Sequence, residues 1–265
     1  MAPSLQAGAP GSSTVKPVAY LPLVVNSNPC PTSSKATFDT IAFSGSPYKE
    51  NLLTDQNADF RLSILGYASV NQPLRFVSYN GDGGAQGPLL GDMFMPHRSA
   101  TFVHAYQVYT WNWDKSQPPP YGSRGPLASN WPVTVLDLAT TRGEPISVPA
   151  RGPTIDGYHV AMVLYAGPNE LTVVYMNVDQ VVILSGNTYV GYVVNMLNFC
   201  VDPNLVATYR EQLTPDGKRL TMALPAVKND QPVGVAMGVT MTVAVRDAGM
   251  YMDPRDKADW WYDMP

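Results

Sequence analysis

Charge is scarce in this sequence. Of 265 residues, 14% are Asp, Glu, Lys or Arg, against about a quarter in an average soluble domain. The net charge is −4 and no basic cluster exists to neutralise phosphates, so no nucleic-acid partner is expected. No apolar run is long enough to cross a bilayer as a helix, and no stretch carries the period of a long amphipathic helix. Histidine is nearly absent too. His97, His104 and His159 are the three, and none stands at metal-ligand spacing from another His, Cys or acid. A Gly-x-Ser-x-Gly elbow is missing, and neither cysteine has a histidine close in sequence, which leaves nucleophilic catalysis without support.

What the chain has in quantity is Gly (21), Pro (25) and Tyr (15), with 5 Trp. That mixture suits short strands, tight turns and an aromatic, neutral surface. The expected fold is mainly β, an antiparallel sandwich or barrel with at most one or two short helices. The two cysteines, Cys30 and Cys200, are an even count beside prolines in a charge-poor chain. This favours an extracellular protein in which they pair. Loop-entropy models give about 4–5 kcal/mol for so large a ring.

Three regions follow from the pattern. Residues 1–29 hold an Ala-Pro-Gly-Ser-rich tail to Lys16 and a short apolar strand, Val18–Val25. The tail lacks a signal-peptide apolar run, and Met1 is read as standing where a signal sequence was removed. Residues 30–125 read as β throughout, with strands over Phe60–Tyr67, Leu74–Tyr79 and Thr101–Trp113. The polyproline stretch within Ser116–Pro126 marks either a boundary or a long hairpin loop. In residues 126–265, strands recur around a single expected helix, Asp202–Gln212, with Asp202 as its cap and Pro203 at its first position.

Four ordered blocks in that last region carry a resemblance. They are Val133–Gly152, Leu171–Val178, Val227–Gly234 and Val239–Pro254. Together they resemble the core of the lysostaphin-type (LytM-like) zinc metallopeptidases, which cut peptidoglycan cross-bridges. The family's pieces are His-x-Gly-x-Asp-Leu then Gly-x-Pro-Val, Leu-Tyr-x-His-Leu, Val-x-x-Gly-Gln-x-Ile-Gly, and His-x-His-Phe-x-Val-Arg with a later Asp-Pro. Here the scaffold positions match while the chemical ones do not. Asp137 alone is kept. The first histidine position holds Val133, the motif glycine Val135, the histidine of the second block Asn177, and the His-x-His pair Thr240 and Thr242. One carboxylate and two hydroxyls cannot supply the three ligands that a catalytic zinc needs. The resemblance therefore implies a peptidase-like β-domain with its metal site erased, and no cofactor is expected.

Asp137, Asn177, Thr240 and Thr242 would then line a polar groove. A carboxylate between Leu136 and Leu138 is costly to bury unless paired, and Arg142 or Arg246 are its expected partners. Two aromatic clusters stand apart from this groove. Trp111 and Trp113 precede Asp114, and Trp260 and Trp261 lie in a run of aspartates that includes Asp253 and Asp259. Rings beside carboxylates suit sugar recognition or glycoside chemistry, although an aromatic pair near a chain end also serves simply to anchor it. The expected function is a non-catalytic secreted module that binds glycan or peptidoglycan, or a cell-surface structural module that self-associates. The alternative is a metal-independent hydrolase of polysaccharide or peptide using Asp137, Asp253 or Asp259.

Overall fold

Runs of Val, Leu, Thr and Tyr at period two dominate the chain, and nearly all become antiparallel strands. The computed structural model describes residues 30–42, 53–79, 87–150, 154–175, 191–219, 223–247 and 250–262. The tail, the Val18–Val25 strand, Asn177 and Asp263 lie outside the described residues.

The strands are β1 (Asp39–Ala42), β2 (Tyr67–Ser69), β3 (Phe102–Trp113), β4 (Gly122–Leu127), β5 (Val135–Ala139), β6 (Pro145–Ser147), β7 (His159–Gly167), β8 (Glu170–Tyr175), β9 (Tyr192–Leu197), β10 (Phe199–Val201), β11 (Ala223–Lys228), β12 (Pro232–Ala236), β13 (Thr240–Asp247) and β14 (Met250–Tyr251). Three short helices accompany them among the described residues: α1 (Leu62–Leu65), α2 (Pro203–Arg210) and α3 (Lys257–Trp260).

Eleven strands form one antiparallel sheet in the order β1-β11-β7-β8-β9-β13-β5-β3-β2, with β14 on β13 and β4 on β3. A second sheet, β10-β12-β6, is small. The arrangement is sandwich-like, with no closed barrel among the described residues. Of the strands that fall in the four blocks, β6 and β12 belong to the small sheet, while β5, β8 and β13 sit in the large sheet. So do β2, β3 and β4 from the preceding region, and β3 pairs directly with β5. The prolines after Trp113 therefore close a β3–β4 hairpin inside this sheet.

Register decides which side chains meet. Val243 opposes Leu136 and Met196, and Met241 opposes Leu138, so alternate residues of β13, β5 and β9 build one apolar face. That face is the main core, closed by Phe94, Phe199, Trp260 and Trp261. The opposite face is mixed. Thr242 lies between Asp137 and Leu197, and Asp137 is also opposite His104. This face is covered by Ala58, Leu62 and Leu65, which pack on Val108, Val135 and Ala244.

Several local readings change. Phe60–Tyr67, which alternates like a strand, forms α1 and then β2 around Gly66 at φ 78°. Leu62 and Leu65 are both buried; three residues apart, they share a helical face, and burying that face outweighs the alternation. Leu74–Tyr79 makes one isolated bridge, Val77 to Asp256, rather than a strand. β12 and β13, adjacent in sequence, lie in different sheets. The helix after Asp202 forms as expected, with the Asp202 carboxylate accepting the Asn204 N–H.

Cys30 and Cys200 are joined by a disulfide. It lies at the start of a strap that continues to β1. Along the strap, Ser34 donates to Asp202, and Asn204 donates to the Ala36 carbonyl.

Candidate binding site

On the mixed face, one row of cross-strand neighbours runs Glu170, Leu197, Thr242, Asp137, His104. Neighbouring strands in a sheet are about 4.8 Å apart, so the register alone brings Asp137 and Thr242 together. Thr242 Oγ1 donates to Asp137 Oδ1 at 2.5 Å, and Tyr106 Oη donates to Oδ2 at 2.7 Å. His104 Nδ1 stands 3.6 Å from Oδ2. Asn198 Nδ2 in turn donates to Thr242 Oγ1. The partners of Asp137 are thus two hydroxyls and an imidazole. The expected arginines are elsewhere, with Arg246 reaching Asp59.

Burial and then the Asp137 carboxylate hold the Tyr106 hydroxyl well above its ordinary pKa. Burial does the same to Tyr67, whose ring packs edge-on against Tyr106 at 5.0 Å. Both phenols remain neutral donors at any ordinary pH. At the far end of the row, Glu170 is buried and accepts from Arg61 Nε, Ser63 N and Ser63 Oγ. Those bonds tie α1 and its approach to the sheet. Only His104 offers much surface, with 64% of its side chain exposed.

The zinc implied by the LytM resemblance does not fit these residues. Val133 is wholly buried and has no donor atom. Both Asp137 oxygens are taken up by hydroxyls, and Thr240, half-buried at the start of β13, adds only a neutral hydroxyl. Among the described residues, no three His, Cys, Asp or Glu side chains come together as a metal site.

The two tryptophan pairs have opposite fates. Trp260 and Trp261 are 2% and 0% exposed, and their indole N–H groups donate to the carbonyls of Asp253 and Pro254. Rings so enclosed have no face for a sugar, so the expectation that they bind ligand is corrected: they anchor the C-terminal segment in the core. Asp253 is likewise committed. Arg255 Nε and Nη2 clamp its two oxygens at 2.9 and 2.7 Å, and Tyr79 Oη adds a third bond. Enclosed and with both oxygens committed, this carboxylate has no open side for a substrate, so Asp253 is corrected from catalytic candidate to structural ion pair. Asp259 is half-buried on α3; burial and then the Asp259 charge raise the pKa of its neighbour Asp256.

Trp111 and Trp113, by contrast, line a cavity of about 370 Å³. A register shift in the β3–β4 ladder between Tyr109 and Trp111 lets consecutive side chains of β3 border the same space, the usual effect of a bulge. The rings of Trp111 and Trp113 lie 6.2 Å apart, at 65° to each other. Asp59, Asn130, Arg246 and Tyr251 also line it. Val108, which borders this cavity, lies on β3 four residues after His104 of the Asp137 row.

Sequence reasoning found the Trp111–Trp113 pair and Asp137 but missed His104, Tyr106, Asp59 and Arg246 as their neighbours. The alternation His104, Tyr106, Val108 was a signal that these share a face. Which strand lay beside β5 was not encoded locally. Scans against protein-family models, curated proteins and solved structures find no match to this chain.

Proposed function

We propose that this is a non-catalytic extracellular module that binds glycan, with the Trp111–Trp113 cavity taking a sugar unit. The observation that carries the reading is the pairing of two partly exposed indoles with hydrogen-bonding groups, Asn130, Arg246 and Asp59, around one cavity. Its volume falls at the lower end of the range for small-ligand sites. Sugar rings present an apolar face for stacking and a rim of hydroxyls, and this lining offers both. The disulfide supports an oxidising, extracellular setting. Peptidoglycan is the favoured glycan on the strength of the sequence resemblance to LytM-like peptidases alone.

Calorimetric titration with soluble peptidoglycan fragments and chitooligosaccharides tests this. Trp111→Ala and Trp113→Ala are each expected to weaken binding about 30-fold, the scale of a central aromatic contact. Equal affinity in wild type and both variants would reject the cavity as the site.

A second reading, the metal-independent hydrolase, draws on one observation, the exposed His104 imidazole beside Asp137. It requires release of soluble fragments from cell walls, abolished in His104→Ala and insensitive to chelators. The binding reading expects no release.

A further inference from the structure

Arg61, Arg98, Arg246 and Arg255 each face a carboxylate. Arg219 does not. Its Nη2 donates to the Leu164 carbonyl and its guanidinium lies 5.4 Å from the centre of the Phe60 ring. Nη1 is buried with no hydrogen-bond partner. Beside it, Tyr209 on α2 is 1% exposed, and its hydroxyl is also buried without a partner. The two groups are brought together by β7: Arg219 bonds Leu164, and the Tyr209 ring packs edge-on at 5.7 Å against Tyr165, the next residue. Burial pushes the pKa of the Tyr209 hydroxyl up; the Arg219 charge and then the neighbouring Thr54 hydroxyl oppose that push, and the Asp55 carboxylate adds to it. Asn57, three residues before Phe60, holds another buried side-chain N–H without an acceptor.

A guanidinium keeps its proton under all ordinary conditions. Buried without a counter-charge it costs several kcal/mol, and each orphaned donor adds to that. Every unsatisfied group named here can donate. An acceptor-only ligand carrying negative charge answers both deficits at once. We propose that Arg219 Nη1 and the Tyr209 hydroxyl bind a small monovalent inorganic anion of halide size, chloride in an extracellular setting. The anion is structural. It lies where α2, β7 and the segment covering the mixed face meet, and Thr54 of that segment is hydrogen-bonded to Gly217, two residues from Arg219.

The test uses the intact protein at constant ionic strength, with chloride replaced stepwise by gluconate, and reads the thermal unfolding midpoint. Chloride is expected to raise it saturably, by roughly 3 °C at a tenfold excess over its dissociation constant. Bromide should act likewise, and crystals grown in bromide should show anomalous density between Nη1 and the Tyr209 hydroxyl. Tyr209→Phe, which keeps the ring, should weaken the halide response, and Arg219→Met should abolish it. A midpoint indifferent to halide, or ordinary water density with no anomalous signal at that position, would overturn the proposal. Should Arg219→Met fail to fold, the bromide map and Tyr209→Phe still decide.

Discussion

At Asp137 the neighbouring strands decide what a buried carboxylate does. With Thr242, Tyr106 and His104 around it, its oxygens organise side chains rather than a metal. Asp137→Ala removes the acceptor for two hydroxyls, at about 1–3 kcal/mol for a satisfied group left bare. The expected loss in denaturant unfolding is about 2 kcal/mol, with no change in metal content. Asp253 is a harsher case, because its partner Arg255 is 2% exposed. Asp253→Ala should cost about 3–5 kcal/mol by leaving that charge uncompensated, whereas replacing both residues by apolar ones of similar size should cost far less. If the single variant unfolds at the wild-type denaturant concentration, the pair is not what holds this segment. The burial of Trp260 and Trp261 explains why aspartates crowd the C-terminal run: Asp253 clamps Arg255, and Asp256 caps α3 by accepting the Ala258 N–H. Read in sequence, those acids beside two indoles also fit a sugar site. Composition cannot tell a ring facing water from a ring facing the core.

At the scale of elements, strands were legible wherever alternation matched a face buried on one side. β3 appears close to the limits expected for Thr101–Trp113, and α2 announces itself through Asp202 and Pro203. α1 did not, because four residues at Leu62–Leu65 are too few to express a helical period against an alternating background. The order of strands was illegible for another reason. β9 and β3 flank the β13–β5 pair through contacts that no local pattern encodes; β3 brings His104 and Tyr106 to Asp137, and the residue after β9, Asn198, reaches Thr242. The edge of the sheet offers a pH test. His159 sits between Asp156 and Asp39, and Lys228 pairs with Asp39, so side chains as well as the ladder tie β1 to β7 and β11. Burial pushes Asp156 up, but hydrogen bonds from the His159 backbone and ring and from Tyr158 outweigh it and leave its pKa at about 2. A carboxyl depressed on folding adds stability that is complete above its unfolded value of about 4 and disappears as pH falls toward 2. Denaturant unfolding between pH 5 and 2 should therefore be steeper in wild type than in Asp156→Asn. The variant should already lack this contribution at neutral pH. Parallel curves would remove Asp156 from the account.

Over the whole molecule, one sheet carries both the apolar core and the mixed face, and a disulfide spanning 170 positions ties its N-terminal strap to β10. The chain-entropy model assigns such a ring about 5 kcal/mol. Cys30→Ser should lower stability by up to that amount without altering ligand binding, since the strap and the Trp111–Trp113 cavity share no lining residue. The central claim concerns that cavity, and the chain's five tryptophans allow it to be tested in one spectrum. Indole N–H resonances, assigned by single substitutions, are followed by NMR as peptidoglycan fragments are added. The account predicts saturable shifts at Trp111 and Trp113 while Trp260 and Trp261, enclosed in the core, stay still. Shifts confined to the buried pair, or none at Trp111 and Trp113 when fragments bind, would contradict it.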